Sequence, residues 1–288
     1  MKQLSILSLV CLCGLFLFSC KKENPQANAL LTRARLQYAS GRFDEAKKTI
    51  DSISKITPKA FRQINEGLAL LDSVRYGENI HTINQSDSLI RLMEVEIDKQ
   101  KKLFSFVFDR QYQEKGRYIP KANPFAAVPA QMSLRSGVEA NGEMFLESIA
   151  DRPLHHVSVK VQIPEGTYAE TKAVSDEGAN YRFQAGGKNI EVVHYNAKRM
   201  NGVAGFIAAN EHKSISVILH GKNSASFSLP ANAKKGIVDS YTLSRLMAER
   251  DSIRFNAEKS KLLIKYLDKQ RARAIAEKAK EQLKKAKK

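Results

Sequence analysis

The chain has 288 residues, of which 43% are apolar, and 47 lysines and arginines stand against 30 acidic residues. This apolar content is enough for one or two hydrophobic cores and excludes a wholly disordered chain. The formal net charge of +17 brings polyanions into consideration as partners, among them nucleic acid, an anionic membrane and an envelope glycan.

The first 19 residues have the pattern of a secretory signal peptide. Lys2 precedes an uncharged, mostly apolar run from Leu4 to Phe18, which is followed by Ser19-Cys20. At about 1.5 Å per helical residue, this run is shorter than the roughly 30 Å hydrocarbon core of a bilayer. We therefore expect residues 1–19 to be cleaved. The alternative is an uncleaved signal anchor in which Cys20 is merely the last small residue.

The cysteines indicate a role for Cys20. Leu17-Phe18-Ser19-Cys20 resembles the lipobox of bacterial lipoproteins, and this resemblance implies that acyl chains such as palmitate are attached to Cys20. Cys11 and Cys13 would leave with the signal peptide, so no disulfide can form within the mature chain. Residues 20–26 would then be a polar tether. We expect an exported protein that is lipid-anchored to a bacterial cell envelope, at the outer rather than the inner membrane.

Residues 28–61 have the periodicity of two antiparallel helices joined by a tight turn. Ser40-Gly41 interrupts the first apolar face, and Pro58 ends the second helix because proline lacks an amide hydrogen. The spacing resembles one tetratricopeptide repeat, in which small residues let the helices approach closely. The matching positions are Gly41, Phe43, Ala46 and Pro58. The resemblance implies a helical groove that binds a peptide or a partner helix.

More helix is predicted after this hairpin. Apolar spacing predicts one helix over residues 60–74, a break between Gly77 and Asn84, and another helix capped by Ser86 or Asp87 that continues through Phe108. We therefore expect a helical module at 27–118. The alternative is a helical spacer whose groove is filled by the protein's own C-terminal helix.

The pattern changes after this module. Pro120, Pro124 and Pro129 disfavour a regular helix and predict a linker at 119–130. Apolar and polar residues then alternate over 131–232, as in Val157 to Ile163. This alternation, divided by turn residues, predicts eight or nine short strands of an antiparallel β-sandwich or barrel. The expected fold class is α+β.

The strand region offers few candidates for chemistry. His155 and His156 are adjacent, so on a strand their side chains would point to opposite faces. No serine lies in a nucleophile-elbow motif. We expect no metal, no cofactor and no catalytic site. The alternative, an envelope enzyme or glycan-binding accessory, would need several histidines to converge with an acidic residue: His155, His194, His212 or His220 with Asp151 or Glu191.

Residues 233–288 predict a long basic helix capped by Asp239 or Ser240. Its heptad-like apolar spacing favours docking on the protein's own helices over a free coiled coil. The last twenty residues, here called the basic tail, contain two acidic residues and nine basic ones: Lys269, Arg271, Arg273, Lys278, Lys280, Lys284, Lys285, Lys287 and Lys288. This charge predicts binding to an anionic surface, and the alternative is a solvated helix end.

Export and the lack of aromatic residues in the basic tail argue against nucleic acid as its partner. The sequence therefore predicts a membrane-anchored envelope lipoprotein that is a non-catalytic binding or scaffolding module. Its partners would be the membrane, through the lipid on Cys20, a protein or peptide in the helical groove, and an anionic envelope component at the basic tail.

Overall fold

A computed structural model describes residues 24–109, 111, 115–125, 131–174 and 179–286. The predicted α+β class is confirmed, with N-terminal helices, antiparallel sheets and a long C-terminal helix. The chain divides into two compact units. Of the described residues, unit 1 contains 24–84 and 257–286, and unit 2 contains those between Gln85 and Asn256. Within this described part, no helix is both long and apolar enough to cross a membrane.

Unit 1 begins with a helical hairpin, as the sequence predicts. Helix α1 (Pro25–Ala39) is capped by Asn24, whose side-chain oxygen accepts a hydrogen bond from the Ala27 amide at 3.0 Å. Helix α2 (Phe43–Ile56) follows a turn in which Gly41 has a φ of +69°. Ala34 of α1 and Ala46 of α2 are both fully buried. Their small side chains permit the close approach of the two helices.

The third helix, α3 (Phe61–Lys101), is continuous, so the break predicted between Gly77 and Asn84 is wrong. A Cβ at position 77 would lie 2.8 Å from Cε2 of Tyr38. Gly77 is therefore a site of close packing against α1 and does not end the helix. The helix also stops at Lys101, whereas the sequence predicted that it would continue through Phe108.

Unit 2 contains two antiparallel sheets. The first has six strands in the order β1-β2-β3-β4-β8-β7, and the second has four in the order β10-β9-β5-β6. Among the described strands, neither sheet closes on itself. The strands are β1 (Phe104–Val107), β2 (Arg117–Pro120), β3 (Ser133–Glu139), β4 (Met144–Ala150), β5 (His156–Gln162), β6 (Tyr168–Glu170), β7 (Asn180–Ala185), β8 (Lys188–Tyr195), β9 (Ser216–Gly221) and β10 (Ala225–Ser228).

The first sheet begins earlier than the sequence indicates. Strand β1 lies in the predicted helical module, and β2 overlaps the start of the predicted linker at 119–130. Strand β2 pairs with both β1 and β3, which ties this part of the chain to the sheet. The division between the compact units at Asn84 also differs from the boundary expected at the linker. The eight strands from β3 to β10 agree with the eight or nine predicted.

Helices complete unit 2. Two short ones, α4 (Ala197–Met200) and α5 (Val203–Ala209), interrupt a region that was predicted as strands throughout. Helix α6 (Ala231–Ala286) begins before both predicted caps. The side chain of Ser240 is fully buried and accepts a hydrogen bond from the Ser136 hydroxyl at 3.0 Å. Ser240 therefore packs against β3 and does not cap a helix.

One apolar core joins the elements of unit 2. It takes side chains from both sheets, from α5 and from the first part of α6, among them Leu146, Val193, Val159, Leu219, Ile207 and Ile237. A second cluster packs the last turns of α3 and the first part of α6 onto the first sheet, through Ile97, Val138 and Leu243. These helices and the core hold the first sheet in place, and the candidate site lies on one face of this sheet.

Candidate functional site

A charged row crosses three strands on one face of the first sheet. Arg135 of β3, Glu147 of β4 and His194 of β8 are neighbours in the strand register. Glu147 Oε2 lies 2.7 Å from Arg135 Nε, and its Oε1 lies 3.2 Å from His194 Nδ1. Burial acts to raise the pKa of Glu147, but the hydrogen bond to His194 and the charge of Arg135 outweigh it, so this pKa is lowered. The row is thus built around an ionised, nearly buried carboxylate.

Phe145 covers the same face beside this row. It lies two residues before Glu147 and therefore points to the same side of the strand. Its ring stacks on the His194 ring, with centroids 5.2 Å apart and planes inclined by 25°. A Cβ at Gly137, on the neighbouring strand, would lie 2.5 Å from Phe145 Cζ. Glycine at this position therefore makes room for the ring.

This face opens into two adjoining cavities, here called the hairpin cleft, around the turn between β3 and β4. The first cavity measures about 600 Å³, and its lining includes Lys115, Arg117, Glu139, Phe145, His194 and Lys198. The second measures about 360 Å³, and its lining includes Met144, Met200, Ala204, Gly205, Tyr241 and Ala248. Asn141, Glu143, Met144 and Ala197 line both. Their sizes fall in the range of small-molecule sites.

The first cavity is polar and the second is mostly apolar. Arg117 forms an ion pair with Glu139, with Nε 3.1 Å from Oε1. Lys198 has no carboxylate partner among the described residues. Nδ1 of His194 faces Glu147, which leaves Nε2 as the ring nitrogen open to a ligand. As far as the chain is described, the lining of the first cavity contains no hydroxyl or thiol.

A second polar cluster is buried between the two sheets. Ser148 Oγ of β4 lies 2.6 Å from His156 Nε2 of β5, and His156 Nδ1 lies 2.9 Å from Glu191 Oε1 of β8. This is the order of a nucleophile, a base and a carboxylate. However, Ser148 and His156 are 0% exposed and Glu191 is 1% exposed, so a substrate has no access to the Ser148 hydroxyl or the His156 ring. The cluster is a structural link between the sheets.

Glu191 also fixes the backbone at the start of β5. Its carboxylate accepts hydrogen bonds from the amides of His155 and His156 at 2.9 and 2.7 Å, and His155 has a φ of +51°. Burial lowers the pKa of His156, and the charge of Glu191 opposes this effect. This cluster was not predicted from the sequence, although Glu191 was considered there as an acidic partner for other histidines. The available signal was Glu191 itself, an acidic residue at an inward position of the apolar run of β8.

The other candidate histidines are separate. His194 contacts Glu147, while His212 is exposed and lies beside Glu211, with Nε2 3.1 Å from Oε1. His220 is on β9. Among the described residues, no group of three or more histidines, cysteines and acidic residues is arranged to hold a metal ion. The aromatic rings that line the cleft are Phe145 and Tyr241, and Phe145 is only 2% exposed.

The predicted repeat positions lie together in the hairpin of unit 1. The Phe43 ring lies 6.2 Å from that of Tyr38 and 5.7 Å from that of His81. Ala46 is buried at the contact with α1. Pro58 lies two residues after the end of α2, in an exposed turn. Gly41 makes the turn between the two helices.

The basic tail is helical through Ala286, and every residue from Asp268 to Ala286 is exposed. Arg271 contacts α3 within unit 1, with its guanidinium 4.6 Å from the centre of the Tyr76 ring and Nη2 3.4 Å from the Asp72 carbonyl oxygen. Cys20, Lys287 and Lys288 lie outside the described residues. Comparison with known protein families, curated proteins and solved structures finds no match to this chain.

Proposed function

We propose that the protein is exported, anchored to a bacterial cell envelope by lipid on Cys20, and acts there as a non-catalytic binding or scaffolding module. The lipobox-like run Leu17 to Cys20 supports the anchor, and we propose the outer membrane as its site. The buried state of the Ser148 and His156 pair supports a non-catalytic role, because a nucleophile must reach its substrate.

The proposed finer architecture has two parts. The hairpin of α1 and α2 is a tetratricopeptide-like unit, supported by the buried small residues at its helix contact. Unit 1 also exposes large apolar side chains that a protein or peptide partner would cover: Leu36, Ile56, Phe61 and Leu68. For unit 2 we propose a β-sandwich, since one apolar core contains side chains from both sheets.

The observation that carries the binding proposal is the exposure of the basic tail. No residue from Asp268 to Ala286 is buried, so the cationic groups of this stretch face solvent and can meet an anionic surface. Each basic residue close to an anionic membrane contributes about 1 kcal/mol, and this attraction falls with rising salt. The tail would thus hold unit 1 against anionic envelope material.

Sedimentation with vesicles tests this binding. Cys20→Ala protein is used so that an attached lipid does not mask the tail. It should bind vesicles that contain anionic lipid at low salt and dissociate at high salt. Replacing Lys278, Lys280, Lys284 and Lys285 by Gln should weaken binding roughly tenfold or more, because four favourable charges are lost.

A matched control removes four exposed lysines elsewhere: Lys59, Lys99, Lys172 and Lys222. This control should bind nearly as well as the parent protein. Equal losses in the two quadruple variants would show that total charge decides the binding, and the proposed role of the tail would be rejected. Binding that is unchanged by salt and by both sets of substitutions would also reject the proposed role of the tail.

A further inference from the structure

We propose that the hairpin cleft binds a small amphiphile that has an anionic headgroup and a short alkyl chain. This site is separate from the surfaces invoked above, and the proposal does not depend on membrane anchoring. It rests on the contrast between the two adjoining cavities, one polar and cationic and the other mostly apolar. A ligand that filled both would need one charged end and one apolar end.

The first cavity provides the site for the headgroup. Lys115, Arg117 and Lys198 line it together with two carboxylates, so the cations are in excess. One of those carboxylates, Glu139, is already paired with Arg117 at 3.1 Å. The other, Glu143, accepts a hydrogen bond from the Asn141 side-chain amide at 3.2 Å. Lys198 therefore remains as an exposed ammonium without a carboxylate partner among the described residues.

His194 gives this cavity a fixed polar group. Its ring is held from two sides, by the stack on Phe145 and by the contact of Nδ1 with Glu147. Because Glu147 is nearly buried and also bound by Arg135, the imidazole cannot rotate freely. Nε2 is then positioned to hydrogen-bond a carboxylate or phosphate headgroup.

The second cavity provides the site for the alkyl chain. Met144 and Met200 are nearly buried in its wall, and methionine side chains adapt well to apolar ligands of varied shape. Ala204, Gly205 and the ring of Tyr241 add to this apolar part of the lining, while Ser244 and Arg245 line the cavity as polar groups. The cavities share an edge, since Met144 lines both. The proposed ligand would cross this edge, with its headgroup in the first cavity and its alkyl chain in the second.

Methyl NMR of the full chain labelled at its methionines tests the proposal directly, because Met144 and Met200 report on the cleft. Octanoate should shift these two methyl signals along a saturable curve, while Met93 and Met132, which do not line the cleft, should stay in place. Octanol, which lacks the charge, and acetate, which lacks the chain, should bind at least about fivefold more weakly. Octyl phosphate is titrated in parallel with octanoate. Whichever of the two binds more tightly shows whether the site prefers a phosphate or a carboxylate headgroup.

Two variants test the headgroup site and the alkyl-chain site separately. Lys198→Gln should weaken octanoate about two- to fivefold, the effect of one exposed ion pair, and leave octanol unchanged. Ala248→Phe introduces a ring into the apolar cavity from an exposed helix position and should abolish the saturable shift. Lys222→Gln, on the exposed turn after β9, is the matched control and should bind octanoate normally.

Three results would overturn the proposal. They are the absence of a saturable shift at Met144 and Met200, binding of octanol as tight as that of octanoate, and equal weakening by Lys198→Gln and Lys222→Gln. None of them depends on a loss of folding, because the substituted positions are exposed.

Discussion

The two units handle charge in different ways. In unit 2, Glu147 and Glu191 are 7% and 1% exposed, and each is surrounded by fixed donors or cations. In unit 1, charged pairs such as Arg35 with Glu66 lie on the surface, and the buried apolar clusters are built mainly from small and aliphatic side chains. The stability of unit 2 therefore depends on buried charged partners in addition to its apolar core, while that of unit 1 depends on the fit of apolar side chains.

Glu191→Ala should have the largest effect. It leaves two backbone amides and His156 without their buried carboxylate. We expect a loss of about 3–5 kcal/mol in the free energy of unfolding of unit 2. Chemical denaturation monitored by tyrosine fluorescence would measure it. Glu165→Ala, which removes an exposed partner of Lys213 in the same unit, should cost at most about 1 kcal/mol. Similar losses in both variants would contradict the distinction between buried and exposed carboxylates.

Ala46→Leu tests whether unit 1 depends on the close packing of its helices. Ala46 is fully buried between α1 and α2, so the larger side chain should push the helices apart and cost about 1–3 kcal/mol. Far-ultraviolet circular dichroism during thermal unfolding would follow the loss of helix. Ala39→Leu, at the exposed end of α1, is the control and should be nearly neutral. A neutral Ala46→Leu would mean that the helices are not closely packed.

Mild acid should destabilise unit 2 selectively. Burial lowers the pKa of His156 below its ordinary value of 6.5, so below this pH the unfolded chain binds a proton that the folded chain does not. The free energy of unfolding should therefore decrease as the pH falls from about 7 to about 5. Unfolding curves measured over this range should show a weaker dependence in His156→Gln. An unchanged pH dependence in this variant would exclude His156 as the cause.

The sequence was most informative where local residues decide the structure. Ser40-Gly41 and Pro58 limit the two helices of the hairpin closely, and the alternation in 131–232 predicts the strands of that region. The sequence was misleading where contacts between distant residues decide the structure. Gly77 resembles a helix break until Tyr38 is known to pack against it. Strands β1 and β2 are short, so their pairing with the sheet determines them more than their own composition does.

The candidate site could not be predicted for the same reason. Glu147 and His194 lie far apart in sequence and meet only because β4 pairs with β8 in one register. The same pairing places Phe145 over Gly137 and opens the hairpin cleft beside them. Among the histidines, only burial and partner distances distinguish His156, which is structural, from His194, which faces the cleft.

The lipid anchor is the central claim, and fractionation of intact bacteria that are fed an alkyne analogue of palmitate tests it most directly. The wild-type chain should be labelled and should sediment with the membranes. Cys20→Ala should lose the label and move to the soluble fraction, whereas Cys13→Ala should behave as wild type. A wild-type chain without label, or Cys20→Ala protein that stays with the membranes after a high-salt wash, would contradict the anchor.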